Sequence, residues 1–97
     1  MLDKIKQLME VKKQAEQIKR ELENSNIEIL EVPGIRMVVN GAQHFQSIEI
    51  EERLFDPANK KRLEADLLQS INKAIYRSQA VAAQKMKDIT GFNIPGL

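Results

Sequence analysis

Between Ile27 and Glu51 the chain reads IEILEVPGIRMVVNGAQHFQSIEIE, with apolar and polar positions alternating in three short runs. Alternation of period two is the mark of β-strands. Val32-Pro33-Gly34-Ile35 divides the first run from the second, with Pro where φ near −65° is wanted and Gly where a positive φ is wanted. Asn40-Gly41 divides the second from the third as a two-residue hairpin signal. An antiparallel three-stranded meander is predicted. With both turns tight, Val32 faces Ile35 and Val39 faces Ala42. That register gathers Leu30, Val32, Ile35, Met37, Val39, Ala42, Ile48 and Ile50 on one face and Ile27, Ile29, Val38 and Phe45 on the other. Glu31 then stands opposite Arg36 as a cross-strand ion pair, and His44 opposite Met37. Both faces are partly apolar, so both want cover.

The flanking segments change period. From Met1 to Glu23 there is no Gly or Pro, and Leu8, Val11, Ala15, Ile18 and Leu22 recur at spacings of 3 and 4, the seam of an amphipathic or coiled-coil-like helix. Asn24-Ser25-Asn26 is the polar break after it. Beyond the meander, Asp56-Pro57 supplies a helix cap and a proline for the first helical position, and neither Gly nor Pro recurs until Gly91, where a C-terminal glycine belongs. Leu63, Leu67, Ile71, Ala74, Ile75, Ser78, Val81, Ala82 and Ile89 form its buried stripe. Arg62, Gln69, Lys73, Arg77, Gln84 and Lys87, interrupted by Asp66, run along the side away from that stripe.

The fold expected is α+β in the order α-β-β-β-α, one domain over residues 1–97, with the meander packed on a long C-terminal helix. An unbroken helix from Pro57 to Thr90 would be about 50 Å long, against roughly 33 Å for the diameter of a compact domain of this length. The helix must break near Ser70-Ile71-Asn72 or overhang. A homodimer that joins sheets and leaves helical arms protruding satisfies both the overhang and the second sheet face. The closing FNIPGL is an apolar tail that a surface would pin.

Charge sharpens the picture. The net charge is +1, but residues 1–25 carry +1, residues 26–56 carry −4 and residues 57–97 carry +4. The sheet is acidic and the helical ends are basic. Lys6, Lys13 and Arg20 lie seven apart, about 10.5 Å along a helix axis, with Lys12 and Lys19 beside them. Lys73, Arg77, Lys85 and Lys87 form a stretch with no acid between them. Such rows are either solvated faces laced by pairs such as Glu16 with Arg20, or cations spaced to reach the phosphates of a nucleic acid.

Catalytic chemistry finds no residues. There is no cysteine and one histidine, so thiolate metal sites and disulfides are excluded and a His-based triad or metal site has little to work with. His44 has no Ser or Asp recognisably placed to make a triad with it. Glu49, Glu51, Glu52 and Asp56 are an ordinary charge run at a strand exit. No glycine loop cradles phosphate, and no apolar run approaches a membrane span or a signal sequence. A non-enzymatic cytoplasmic protein, with no cofactor, small-molecule substrate or membrane partner, is expected.

In order and spacing the chain resembles the YbaB/EbfC family of nucleoid-associated proteins. The likeness is carried by the first helix (KIKQLMEVKKQAEQIKREL), by Val38-Val39-Asn40-Gly41, and by Ile48-Glu49-Ile50 with Leu54. It continues through Lys61, Leu63, Glu64, Asp66 and Leu67, Asn72-Lys73-Ala74, Met86, Thr90-Gly91 and Pro95-Gly96-Leu97. The resemblance implies a tweezer-shaped homodimer with protruding helices that binds double-stranded DNA in the nucleoid and influences its organisation and gene expression. Carried onto this sequence, the DNA-contacting candidates are Lys6, Lys12, Lys13, Lys19 and Arg20 of the first helix and Lys73, Arg77, Lys85 and Lys87 of the last. Two departures stand out: the Pro33-Gly34 link is shorter than the family's Gly/Ser-rich loop, and the Gly-rich leader is missing. The competing reading is a helical protein-interaction module that docks a partner on Leu8, Val11 and Ile18 and does not touch DNA.

Overall fold

The structure is a computed structural model that describes residues 2–91. A first helix, α1 (Leu2–Asn24), leads into strands β1 (Asn26–Ile29), β2 (Ile35–Asn40) and β3 (Phe45–Ile50), and a second helix, α2 (Lys60–Thr90), ends the described chain. The strands form one antiparallel sheet in the order β1-β2-β3. The α-β-β-β-α order and the α+β class are those read from the sequence. The tail Phe92–Leu97, expected to be pinned to a surface, lies outside the described residues.

The register differs from the expected one, with consequences for every face. Ile35 N donates to Val32 O at 3.1 Å and Gly34 has φ 91°, so the Pro-Gly turn forms as anticipated. It sits inside a longer link, however, and the ladder pairs Ile29 with Met37 and Ile27 with Val39. A slip of one residue moves a strand's side chains to the opposite face. Ile27 and Ile29 therefore join Ile35, Met37 and Val39 in the core, while Leu30 is exposed. Arg36 pairs with Glu28 at 2.7 Å and Glu49 at 3.4 Å, not with Glu31. The hydrogen bond that Arg36 donates to the Glu28 carboxylate is the leading cause that raises the guanidinium pKa above its ordinary value, with burial opposing it. The sheet face away from α2 is thus polar, and the second apolar face does not exist.

The second turn is also longer than expected. Asn40 N donates to His44 O at 2.9 Å and Gln43 N to Asn40 O at 3.1 Å, while Gln43, with φ 63°, takes the left-handed position. This is a three-residue loop of the kind that pairs a type I turn with a left-handed residue, in place of the two-residue Asn-Gly hairpin. Ile48, not His44, stands opposite Met37. A register shift between Val38 and Val39 sets Phe45 against Val39, on the α2 side of the sheet.

Asn40 and Gly41 tie this loop to the foot of α1. The last carbonyls of a helix have no partner within it, and here Gly41 N donates to Leu22 O at 2.9 Å while Asn40 Nδ2 donates to Glu23 O at 3.3 Å. A β-carbon at Gly41 would stand 3.2 Å from Leu22 O and 3.3 Å from Leu22 Cα, so glycine is what lets the two backbones meet. On the other side, Ser78 Oγ of α2 donates to Asn40 O at 2.8 Å.

The helix α2 does not break near residues 70–72. Asp56 accepts from Ala58 N at 3.0 Å and caps a 3₁₀ turn, Pro57–Asn59, that opens directly into the helix. Gly91, with φ 76°, closes it through a bond from its N–H to Lys87 O. Ser70, Ala74, Ser78 and Ala82 are buried at four-residue intervals, and small side chains on that line let the helix lie close to the sheet. The thirty-one unbroken residues run past the sheet, and the molecule measures 68 × 22 × 16 Å with a radius of gyration of 18.3 Å. A compact chain of this length would have about 13 Å.

Candidate nucleic-acid interface

The seam of α1 is covered only at its foot. Leu22 is its one buried residue and Ile18 is half-buried, where the helix meets the far half of α2. Toward the N-terminus Leu8 is 71% and Val11 63% exposed. The first helix is therefore an arm, held at one end and solvated along the rest.

All five cations singled out on this arm are exposed. At 100° per residue, Lys6, Lys13 and Arg20 form one line on the side of the helix away from the seam, drifting about 20° per heptad. Lys12 and Lys19 form a second line about 100° round the axis. Among the described residues none of the five has a carboxylate within ion-pair distance, and the anticipated Glu16–Arg20 pair is absent. Arg36, Arg53, Lys61, Arg62 and Lys85 by contrast are all paired. Unpaired cations spaced along an exposed rod keep their full charge available to an external anion.

The second-helix candidates divide. Lys73 and Lys87 are exposed, with Lys73 Nζ 5.8 Å from the centre of the Tyr76 ring. Arg77 Nη1 donates to Glu28 O at 2.8 Å, which fastens α2 to β1. Lys85 Nζ lies 3.6 Å from Glu21, bridging α2 to the foot of α1. The row Arg62, Gln69, Lys73, Arg77, Gln84 and Lys87 runs along the flank of α2 over β1, so part of it is engaged by the sheet. Gln17, Arg20, Asn24, Ser25 and Lys85 line an open groove with Glu21 where the two helices cross.

Four further cations stand outside the set of DNA-contacting candidates, two of them, Lys61 and Arg62, paired with Glu64 and Asp66. Lys60, Lys61 and Arg62 cluster at the start of α2, and Lys4 extends the α1 seam one step beyond Leu8. Their signal was the KKR run at 60–62 and the KIK at 4–6. Among the described residues no three of His, Cys, Asp or Glu gather to hold a metal, and no helix is long and apolar enough to cross a membrane.

Comparison with known proteins agrees with this geometry. The chain is 30% identical over 95 residues, 96% of its length and 90% of the relative's, to a nucleoid-associated protein of Pelotomaculum thermopropionicum. It is 30% identical over 100 residues, 99% of its length and 85% of the relative's, to one of Prochlorococcus marinus. A nucleoid-associated protein of Caldicellulosiruptor bescii matches at 32% identity over 63 residues; there the match spans 65% of the chain and 56% of the relative's length. The sequence profile of the YbaB/EbfC DNA-binding family matches residues 1–92. With that profile spanning almost the whole chain, and with a helical arm of unpaired cations standing off an acidic sheet, the protein belongs to the YbaB/EbfC DNA-binding family.

Proposed function

We propose that this protein is a non-catalytic nucleoid-associated protein of the cytoplasm. As a homodimer it binds double-stranded DNA mainly through phosphate contacts from its basic helices, and so influences nucleoid organisation and gene expression. The observation that carries the reading is the absence, among the described residues, of any carboxylate partner for Lys6, Lys12, Lys13, Lys19 and Arg20 on the projecting arm. Lys73 and Lys87 of α2 add to them. Arg77 and Lys85 act at the base, where each also holds two elements together. Contacts of this kind attract any duplex and read little sequence. The −4 charge of residues 26–56 keeps the backbone of DNA off the sheet.

Salt titration of duplex binding tests the reading. Log K should fall with log salt by about 0.9 for each phosphate neutralised. Replacing Lys6, Lys13 and Arg20 together by alanine should weaken all duplexes alike and lower the slope by about 2.7 per arm engaged, with the oligomeric state unchanged. Affinity indifferent to salt, or an unchanged slope in the triple variant, would refute it. The exposed Leu8 and Val11 favour a second reading, in which the arm docks a partner helix. That reading requires salt-tolerant binding lost on substitution of those two residues.

A further inference from the structure

The outer half of α1 carries a second feature besides its cations. At about 100° per residue, Val11, Leu8, Ile5, Met9 and Leu2 follow one another round the axis and occupy a sector about 180° wide. All five are exposed, Leu2 at 75%, Ile5 at 55% and Met9 at 59%. Asp3 and Glu10, the only acids before Glu16, lie about 170° from the middle of that sector. Lys4 and Lys6 stand near its two edges, and Lys12 and Lys13 follow one turn further in. The segment is a basic amphipathic helix, apolar over half its circumference, with its acids turned away.

We propose that this segment is a lipid-binding element: the outer half of α1 sinks its apolar sector into the surface of an anionic bilayer, with Lys4, Lys6, Lys12 and Lys13 among the headgroup phosphates. The breadth of the sector and the charge around it select the occupant. A partner helix covers a stripe of about 100°, which would leave nearly half of this sector wet. A DNA backbone satisfies the lysines but offers no apolar surface, and a wedge between base steps takes one ridge of side chains, not half a helix. An anionic bilayer meets both needs, with acyl chains for the apolar half and phosphates for the cations that border it. Exposed apolar surface on the order of several hundred Å² marks contact sites of this kind. The expectation of no membrane partner rested on the lack of a spanning run; among the described residues no helix can cross a bilayer, but a helix lying in its surface has no need to. The inference goes beyond the DNA reading and does not depend on it, although the two ligands would share Lys6, Lys12 and Lys13.

The test uses the full chain and unilamellar vesicles. The protein should co-sediment with vesicles containing phosphatidylglycerol, and bind vesicles of phosphatidylcholine alone more weakly by roughly tenfold or more. Ile5→Gln combined with Met9→Gln, at two exposed positions where the charge and the helix are kept, should weaken binding to the anionic vesicles by roughly tenfold or more. Duplex affinity and its salt slope should stay unchanged in that variant. The chain has no tryptophan, so a single one introduced by substitution reports depth. In Met9→Trp its emission should shift to the blue on anionic vesicles and be quenched by lipid brominated on the acyl chains. In Gln14→Trp, on the polar side of the helix, neither should occur. Vesicle binding indifferent to the double variant would mean adsorption by charge alone and would overturn the proposal, as would equal quenching at the two positions. A double variant that loses DNA affinity and keeps its hold on vesicles would assign the sector to a wedge between base steps instead. Native protein that leaves anionic vesicles untouched at low salt would end the lipid assignment and leave the DNA reading intact, since that reading stands on the salt slope of the arm cations.

Discussion

Replacing Asn40 tests the joint on which the arm depends. Its side chain is buried and makes three hydrogen bonds: Oδ1 accepts from Ala42 N and His44 N, each at 3.0 Å, and Nδ2 donates to Glu23 O at 3.3 Å. A hydrogen bond nets about 1 kcal/mol, and more where a buried partner is orphaned. Asn40→Ala should therefore cost about 3 kcal/mol, which for a domain of this size lowers the melting temperature by about 12–24 °C. Asn40→Asp separates the two functions of the residue. The carboxylate still accepts from Ala42 and His44, but it sets an oxygen against the Glu23 carbonyl and a negative charge at the C-terminal end of α1, where the helix dipole disfavours it. Urea unfolding at fixed protein concentration, needed because the proposed dimerisation would add to apparent stability, gives the totals. Amide exchange apportions them. In Asn40→Ala the amides of Ala42 and His44 should lose protection. In Asn40→Asp they should keep it, while the last turn of α1 frays. A loss below about 1 kcal/mol for Asn40→Ala, or equal deprotection of the hairpin in both variants, would refute the account.

Substitutions at three further sites probe the body. Ser70 is buried and its Oγ has no hydrogen-bond partner, so Ser70→Ala should stabilise by up to about 1 kcal/mol in urea unfolding, whereas Ser70→Leu should disrupt the seating of α2 on the sheet. Gly34 has φ 91° and a β-carbon there would meet Leu54 Cδ1 at 2.9 Å, so Gly34→Ala should cost about 2 kcal/mol. Gly91→Ala, with a similar φ but open space around it, should cost about 1 kcal/mol, and equal losses at the two sites would mean that crowding by Leu54 is immaterial.

The elements themselves were legible because each is written in its own local code. Asp56-Pro57 and Gly91 bound the long helix, the 3,4 spacing from Leu8 to Leu22 defines the arm, and period two defines the strands. Strand register was not legible, because it turns on one residue. Pro33-Gly34 makes its turn at the expected place, yet Leu30 and Glu31 add length to the link, and that alone carries Ile27 and Ile29 from the outer face to the core. Likewise, Asn40 is not a mere turn residue but the clasp between hairpin and arm, a role set by Glu23 and Ser78 from elsewhere in the chain. The basic rows were readable from spacing. Which members the protein uses for itself was not: Arg77 is held by a β1 carbonyl 49 positions away, and Lys85 by Glu21, 64 positions away.

The single foothold of α1 makes it a lever. About 30 Å of helix extends from Leu22 to Leu2, so a tilt of some 5° at the base would carry the tip roughly 2.6 Å, by the geometry of a rigid rod of that length. In the proposed homodimer, two such levers on one body would open or close their span by nearly the width of a phosphate group without unfolding anything. On the proposed reading the spacing between the rods would adapt to local differences in duplex width, and a grip that accommodates every duplex would have no means of choosing among them.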